Sequence, residues 1–166
     1  MSVETRAGAD RADALRRVMR HHAAGVVLIT TATPEPSGFC ATSLTSICLD
    51  PPVVSFAVDV ATRSGAAWAS ASWGLVHLLS ADQQAVAARF ATPGVDKFGD
   101  GQGWSVGPRG LPLMEHAPAW LLVHHRTRLT VGDHLVVLCD VVDGATGDSA
   151  RAPLVYHNGG FYAVSG

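Results

Sequence analysis

Residues 38–59 read GFCATSLTSICLDPPVVSFAVD, and the architecture of the chain can be worked out from them. Small hydroxyl residues (Thr42, Ser43, Thr45 and Ser46) lie within a strand-like pattern, and a second apolar strand follows a Leu-Asp-Pro-Pro break at 49–52. Small side chains let a planar ligand lie close to the backbone, where hydroxyl and N–H groups can bond its polar edge. The stretch therefore predicts two strands and a groove for a flat ligand.

Short strands recur along the rest of the chain. Apolar periodicity and turn residues predict strands over 26–31, 39–48, 53–59, 73–79, 119–130, 135–142, 153–156 and 160–164. Helices are predicted from Asp10 to Gly25, from an N-cap at Thr62 to Ser70, and from the capping box Ser80 to Gln83 on to about Ala91. The Gly-rich segment 92–111 is predicted to be a long functional connection without regular structure. This density of strands predicts a mostly β protein with short α-helices, built as a closed antiparallel barrel.

Composition limits the possible classes of protein. The chain has 166 residues, of which 48% are apolar and 16% charged, and it predicts a single domain over 10–166 behind a flexible segment 1–9. The net charge of −2 gives no electrostatic footprint for nucleic acid, and the five arginines of the first 20 residues are predicted to form the solvated face of a helix. No apolar run approaches the length of a membrane span, which predicts no membrane partner.

Cysteine usage and sparse charge predict the setting of the protein. The three cysteines, Cys40, Cys48 and Cys139, show no pairing pattern, which is typical of reduced thiols in a cytoplasmic protein. A chain with so few charges often covers part of its apolar surface in a subunit contact, and we therefore expect a homodimer.

Several common functional motifs are missing from the sequence. There is no GxGxxG or Walker motif, so a nucleotide would not be held in the Rossmann or P-loop manner. The eight histidines lack ligand spacing, HExxH is absent, and no metal site is predicted. No GxSxG elbow supplies a hydrolase nucleophile.

Motifs spread over positions 15–162 together resemble the flavin reductase-like family. The N-terminal matches are Leu15-Arg16-Arg17-Val18-Met19 and Gly25-Val26-Val27-Leu28-Ile29-Thr30-Thr31. The central matches are Ala41-Thr42-Ser43-Leu44-Thr45-Ser46, Leu49-Asp50-Pro51-Pro52, Asp59 with Thr62-Arg63-Ser64, and Leu78-Leu79-Ser80 with Gln83 and Phe90. The later matches are Lys97-Phe98, Gly132-Asp133-His134 and Pro153-Leu154-Val155-Tyr156. The resemblance implies an FMN-binding split barrel.

The same resemblance implies a set of cofactor-binding residues. The isoalloxazine would lie along Ala41, Thr42, Ser43, Leu44, Thr45 and Ser46, and Asp59 and Tyr156 belong to the matching motifs. Thr62, Arg63 and Ser64 would hold the phosphate, since hydroxyls, free N–H groups at a helix start and a guanidinium all donate to anions. A plain helix cap with an exposed arginine explains these three residues equally well on sequence grounds.

Three further residues are assigned to the cleft. Phe98 would lie against the flavin or the dinucleotide, and Lys97, the only lysine of the chain, would lie near a phosphate. The alternative is a solvated lysine beside a phenylalanine that anchors the loop. The resemblance implies that His134 lies beside the nicotinamide as the catalytic residue, which positions the donor or supplies a proton. Alternatively, it is a turn histidine bonded to Asp133.

The sequence thus predicts an NAD(P)H:flavin oxidoreductase. FMN or FAD would be reduced by hydride from NADH or NADPH and would then diffuse to a partner flavin-dependent monooxygenase. The alternatives are a non-catalytic flavin- or haem-binding module and an oxidase that acts on its own substrate. Cys40, Thr42 and His77 stand where the family often has Thr, Asn and Asn, which leaves flavin affinity and the role of His77 (core or interface) open.

Overall fold

A computed structural model describes residues 3–99, 103–147 and 151–164. These ranges are dominated by strands, and the predicted mostly β class is confirmed. The helices are α1 (Val3–Met19), α2 (Arg63–Trp68) and α3 (Gln84–Ala91). The first strands are β1 (Ala24–Gly25), β2 (Val27–Ala32), β3 (Pro36–Ala41), β4 (Thr45–Leu49), β5 (Pro52–Asp59) and β6 (Trp73–Leu78). The later ones are β7 (Trp104–Val106), β8 (Pro112–Met114), β9 (Ala119–Val131), β10 (His134–Thr146), β11 (Leu154–His157) and β12 (Gly160–Ala163).

The main sheet has seven antiparallel strands in the order β3-β2-β6-β9-β10-β5-β4. The predicted hairpin of β9 and β10 forms its centre and turns at Gly132, whose φ of 60° suits a residue without a Cβ. A smaller sheet joins β1, β11 and β12, and β7 pairs with β8. Within the described ranges no ladder joins β3 to β4, the edges of the main sheet, so closure of the barrel stays a prediction.

The main sheet is buried on both faces along β2. Val27 and Ile29 belong to one apolar cluster, together with Phe56 and Trp68, while Leu28 belongs to a second cluster beside α3. This division follows the two-residue repeat of a strand, which sends successive side chains to opposite faces. Residues 26–29 (Val-Val-Leu-Ile) are therefore all apolar, because each face of β2 packs against a different apolar cluster.

The buried histidine of β6 joins the small hairpin to the main sheet. His77 has no exposed surface, its Nδ1 lies 3.0 Å from the carbonyl oxygen of Leu28, and its Nε2 accepts the N–H of Met114 at 3.2 Å. Since Nε2 accepts, Nδ1 carries the proton and donates to Leu28. The open question about His77 is thereby answered within this chain: it is a core histidine that holds β8 against β2.

Two predicted elements differ from the structure. The strand predicted over 39–48 is two strands, because the chain leaves β3 after Ala41 and the hydroxyl of Ser43 then bonds the N–H of Ala57 on β5 at 3.0 Å. A side chain that bonds neighbouring backbone groups competes with the strand ladder, and Ser43 does so at the crossing from one edge of the sheet to the other. The connection 92–111, predicted to be irregular, contains β7, whose partner β8 follows directly.

The predicted N-terminal caps of α2 and α3 are found in the structure, whereas the predicted start of α1 is not. Thr62 is the N-cap of α2, and Ser80 and Gln83 form the capping box before α3. Helix α1 begins at Val3, seven residues before the predicted Asp10. The flexibility of 1–9 and the single domain over 10–166 stay predictions. No described helix combines the length and the apolar character that a membrane crossing requires.

Candidate functional site

A cleft of about 1040 Å³ opens between β3, the end of β5, the start of α2 and the segment that follows α3. Thr42 and Ser43, which follow β3, are exposed in it, and His134 lies at the start of β10, opposite Asp59 in the ladder. The volume is at the upper end of the range of about 300–1,000 Å³ that is typical of small-molecule sites.

Ten of the residues assigned from the sequence line this cleft. They are Ala41, Thr42, Ser43, Asp59, Thr62, Arg63, Ser64, Lys97, Phe98 and His134. The fold brings them together from several separate segments of the chain, because β3 is an edge strand that faces α2, α3 and the end of β5. Their contacts with a ligand stay predictions.

Four assigned residues lie elsewhere. Leu44 packs against the core cluster of Phe56, and Thr45 and Ser46 are exposed on the edge strand β4. Tyr156 packs edge-to-face against Phe161 in the small sheet, with 5.4 Å between the ring centroids. None of the four is among the residues that line the cleft. Their predicted role in cofactor binding is not supported by this placement and stays a prediction.

The wall formed by β3 offers backbone groups more than hydroxyls. The side chain of Ala41 belongs to the core, and Ser43 is bonded to Ala57. The carbonyl of Gly38 points away from β2 and accepts the hydroxyl of Ser64 at 2.9 Å. Because strand backbone groups alternate with a period of two, the N–H and C=O of Cys40 point to the same free edge. A flat ligand here would meet the backbone edge of β3.

At Thr62–Ser64, both hydroxyls are used within the protein. Thr62 donates to the carbonyl of Asp59 at 2.7 Å and accepts the N–H of Gly65 at 3.0 Å, while buried Ser64 bonds Gly38. Gly65 allows this close approach, since a Cβ on it would lie 2.0 Å from the carbonyl oxygen of Asp59. Of the three predicted phosphate ligands, Arg63 is therefore the one whose side chain reaches into the cleft with donors.

Arg63 is paired with a residue that sequence analysis missed. One of its terminal nitrogens, Nη2, lies 2.7 Å from Oε2 of Glu35, and both side chains are exposed and line the cleft. Glu35 lies in the Pro-Glu-Pro turn between β2 and β3, where its sequence context indicates a turn and nothing about its partner. The cleft therefore carries a cation and a carboxylate at the same edge.

The opposite wall is an aromatic cluster. The ring of Phe98 lies 5.5 Å from that of Phe90 and 4.9 Å from that of Trp104, and Phe90 lies 5.7 Å from Trp104. Lys97 donates to the carbonyl of Phe90 at 2.9 Å and lies 5.5 Å from its ring centroid. Sequence analysis missed Trp104, although an isolated tryptophan in a Gly-rich segment is a visible sign of an anchor.

Two titratable groups of the cleft have clear environments. Nδ1 of His134 lies 2.7 Å from Oδ1 of Asp133, and this hydrogen bond lowers the pKa of the Asp133 carboxyl. A histidine held through Nδ1 presents Nε2 to a neighbouring group, so the bond to Asp133 is compatible with a role in the cleft.

Burial raises the pKa of the Cys40 thiol to about 12, against a smaller opposite effect of Lys97.

The chain is similar to proteins of known family. The family model of the flavin reductase like domain matches residues 19–165. The chain belongs to the flavin reductase-like family. The family predicted from the sequence is thus confirmed, and its members give the cleft a biochemical context.

Three relatives illustrate the family. The NADH:FMN oxidoreductase of Rhodococcus qingshengii is 37% identical over 151 residues, which are 89% of this chain and 79% of that protein. The reductase component of a 4-nitrophenol monooxygenase from Rhodococcus opacus is 33% identical over 92% of this chain and 80% of its own length. The crystal structure of the Streptomyces globisporus NADH:FAD oxidoreductase in complex with NAD and FAD fragments is 30% identical, with a TM-score of 0.86 over 95% of this chain and 94% of that one.

Proposed function

We propose that the protein is an NAD(P)H:flavin oxidoreductase that reduces FMN or FAD and supplies reduced flavin to a partner monooxygenase. The oxidoreductase names of its relatives agree with this activity, and one of them is a monooxygenase reductase component. The observation that carries the proposal is the cleft in which the β3 edge, Arg63, the aromatic wall and His134 meet.

The cleft fits a flavin and a nicotinamide in size and chemistry. Its volume is large for a small-molecule site, and its walls combine a strand edge with a cluster of aromatic rings. The chemistry would be supplied by the two cofactors themselves, as hydride transfer from the nicotinamide to the flavin. The protein therefore has to bind and orient two planar molecules.

Each wall has a proposed task. The backbone edge of β3 near Cys40 and Thr42 bonds the polar edge of the flavin, and Arg63 contacts its phosphate. Phe98 limits how far the rings can move, because Lys97 and Trp104 hold its segment in place. His134 meets the nicotinamide through Nε2 and orients it, while Asp133 fixes the ring from the other side.

The protein is proposed to act as a homodimer with the flavin near the subunit contact. Leu15, Val18 and Met19 of α1 are 64%, 68% and 51% exposed. A helix gains most of its stability from packing an apolar face, and a second copy would cover this row.

Closure of the barrel and a cytoplasmic location, consistent with three unpaired cysteines, belong to the same proposal.

Steady-state assays test the activity directly. Purified protein with NADH and free FMN or FAD should consume NADH at a rate that depends on flavin concentration, and parallel assays with NADPH identify the preferred donor. A protein that binds flavin and oxidises neither nucleotide would be a non-catalytic module. Absence of turnover in all four combinations would overturn the proposed function.

A further inference from the structure

The ion pair at the edge of the cleft joins a ligand-facing cation to a carboxylate. Nη2 of Arg63 and Oε2 of Glu35 are 2.7 Å apart, and the two side chains are 77% and 72% exposed. Neither is needed to satisfy a buried partner, since water reaches both. The pair can therefore open when an anion approaches Arg63.

The two hydroxyls on either side of Arg63 are already engaged. The hydroxyls of Thr62 and Ser64 bond Asp59 and Gly38. Among the side chains at 62–64, a phosphate would therefore depend on the guanidinium of Arg63, for which Glu35 competes.

Glu35 differs from the other carboxylates of the cleft lining. Oδ1 of Asp59 accepts the N–H of Ala61 at 2.8 Å, and Oδ1 of Asp96 accepts the N–H of Phe98 at 3.0 Å. Each of these two carboxylates caps its own local turn. Glu35 instead bonds a side chain 28 residues away whose other potential partner is a ligand.

We propose that Glu35 is a specificity-determining residue: it competes with the flavin phosphate for Arg63 and so keeps bound flavin exchangeable. This inference rests on the proposed function. A phosphate monoester carries a charge of about −1.5 to −2 near neutral pH, so it is repelled by Glu35 while it is attracted by Arg63. A flavin that must leave for another enzyme gains a higher dissociation rate from this competition.

The test compares FMN with riboflavin, which has the same ring and no phosphate. Dissociation constants of both are measured by flavin fluorescence for the wild-type protein, Glu35→Gln, Arg63→Gln and the double variant. Exposed ion pairs of this kind correspond to changes of about two- to fivefold. Glu35→Gln should tighten FMN by that factor, lower its dissociation rate and leave riboflavin unchanged. In the Arg63→Gln background the same change should have a smaller effect on FMN, because only the direct repulsion between Glu35 and the phosphate remains.

A matched control removes a distant carboxylate. Glu115 is exposed after β8, outside the cleft lining, and Glu115→Gln should change neither flavin. Equal effects of Glu35→Gln on FMN and riboflavin, no effect on either, or weaker FMN binding would each overturn the inference. Weaker binding would mean that Glu35 positions Arg63 for the phosphate. If the wild-type protein neither binds nor reduces flavin, it is the proposed function that fails.

Discussion

The indole Nε1 of Trp104 donates a hydrogen bond to the carbonyl oxygen of Lys97 at 3.1 Å. The same ring packs on Phe98 and Phe90, and it lies edge-on to His77 at 6.3 Å. Trp104 thereby connects the hairpin of β7 and β8 to the wall of the cleft. The segment of Lys97 and Phe98 is therefore held by a residue that is not among those lining the cleft.

Replacement of Trp104 by Phe should loosen this wall while it preserves an aromatic ring. Loss of one hydrogen bond of this type costs about 1 kcal/mol of unfolding free energy. We expect the Michaelis constants for flavin or NADH to rise severalfold with a smaller change in kcat, measured in steady-state assays. Trp120→Phe, in the separate cluster around Leu75, is the matched control and should leave both Michaelis constants unchanged. Equal Michaelis constants for wild type and Trp104→Phe would contradict the role of Trp104.

The parts of the structure that sequence analysis predicted correctly depend on local patterns. The capping box of Ser80 and Gln83 spans four residues, and the Gly132 turn joins two apolar runs, so both can be found from neighbouring residues alone. A cleft does lie beside Ala41, but only Thr42 and Ser43 of the four hydroxyl residues that predicted it are in its lining, and its ligand stays a prediction.

The features that sequence analysis missed depend on contacts between distant segments. The hydroxyl of Ser43 accepts the N–H of Ala57 just after β3 ends, and Glu35 forms an ion pair with Arg63. In neither case does the local sequence identify the partner. Assignment of Thr62 and Ser64 to a phosphate was plausible from residue type. Only the three-dimensional structure shows that their hydroxyls bond Asp59 and Gly38.

His77 should make the protein less stable in mild acid. Burial lowers its pKa to about 4, while the bond to Leu28 has a smaller opposite effect. In the unfolded chain the pKa is about 6.5, so the unfolded state binds more protons between these values, and stability falls as the pH falls from 6.5 to 4. The shift corresponds to about 3 kcal/mol at most.

Urea unfolding between pH 8 and pH 4 measures this contribution of His77. His77→Asn should lower stability at pH 8, because the bonds to Leu28 and Met114 are disturbed, and should flatten the decrease below pH 6.5. His22→Asn, at an exposed position, is the control and should keep the wild-type profile. An unchanged decrease in His77→Asn would assign the acid sensitivity to other groups.

Gly65→Ala should damage both stability and the cleft. The new Cβ would meet the backbone of Asp59 and Val60, at 2.0 Å and 2.8 Å, and neither can move aside as a flexible side chain would. We expect a loss of about 2 kcal/mol or more in chemical unfolding and weaker FMN binding, because α2 and Arg63 move together. Gly8→Ala, on exposed α1 with nothing within 4 Å, should be neutral or slightly stabilising. If Gly65→Ala is as stable as the wild-type protein, α2 accommodates the new Cβ without loss of stability.

Cys40 should react slowly with alkylating reagents, and flavin should slow it further. Its raised pKa, about 12, keeps the thiol protonated at pH 8, and the residue is half-buried in the cleft. Exposed Cys48 should be labelled first by iodoacetamide, as followed by peptide mass spectrometry. Saturating FMN should protect Cys40 and leave the labelling of Cys48 unchanged. Equal labelling of Cys40 with and without FMN would place the flavin away from β3.

His134→Ala should separate nicotinamide oxidation from flavin binding. Nε2 of this histidine is the group proposed to meet the nicotinamide, while the proposed flavin contacts lie on β3, α2 and the aromatic wall. We expect kcat/KM for NADH to fall about tenfold or more, because a contact that positions the donor or transfers a proton is lost. The FMN dissociation constant should be unchanged. Asp133→Asn keeps the ring but weakens its anchor at 2.7 Å, so it should show a smaller loss of the same kind. If both variants oxidise NADH at the wild-type rate while they bind FMN, His134 is a turn residue bonded to Asp133 and takes no part in hydride transfer.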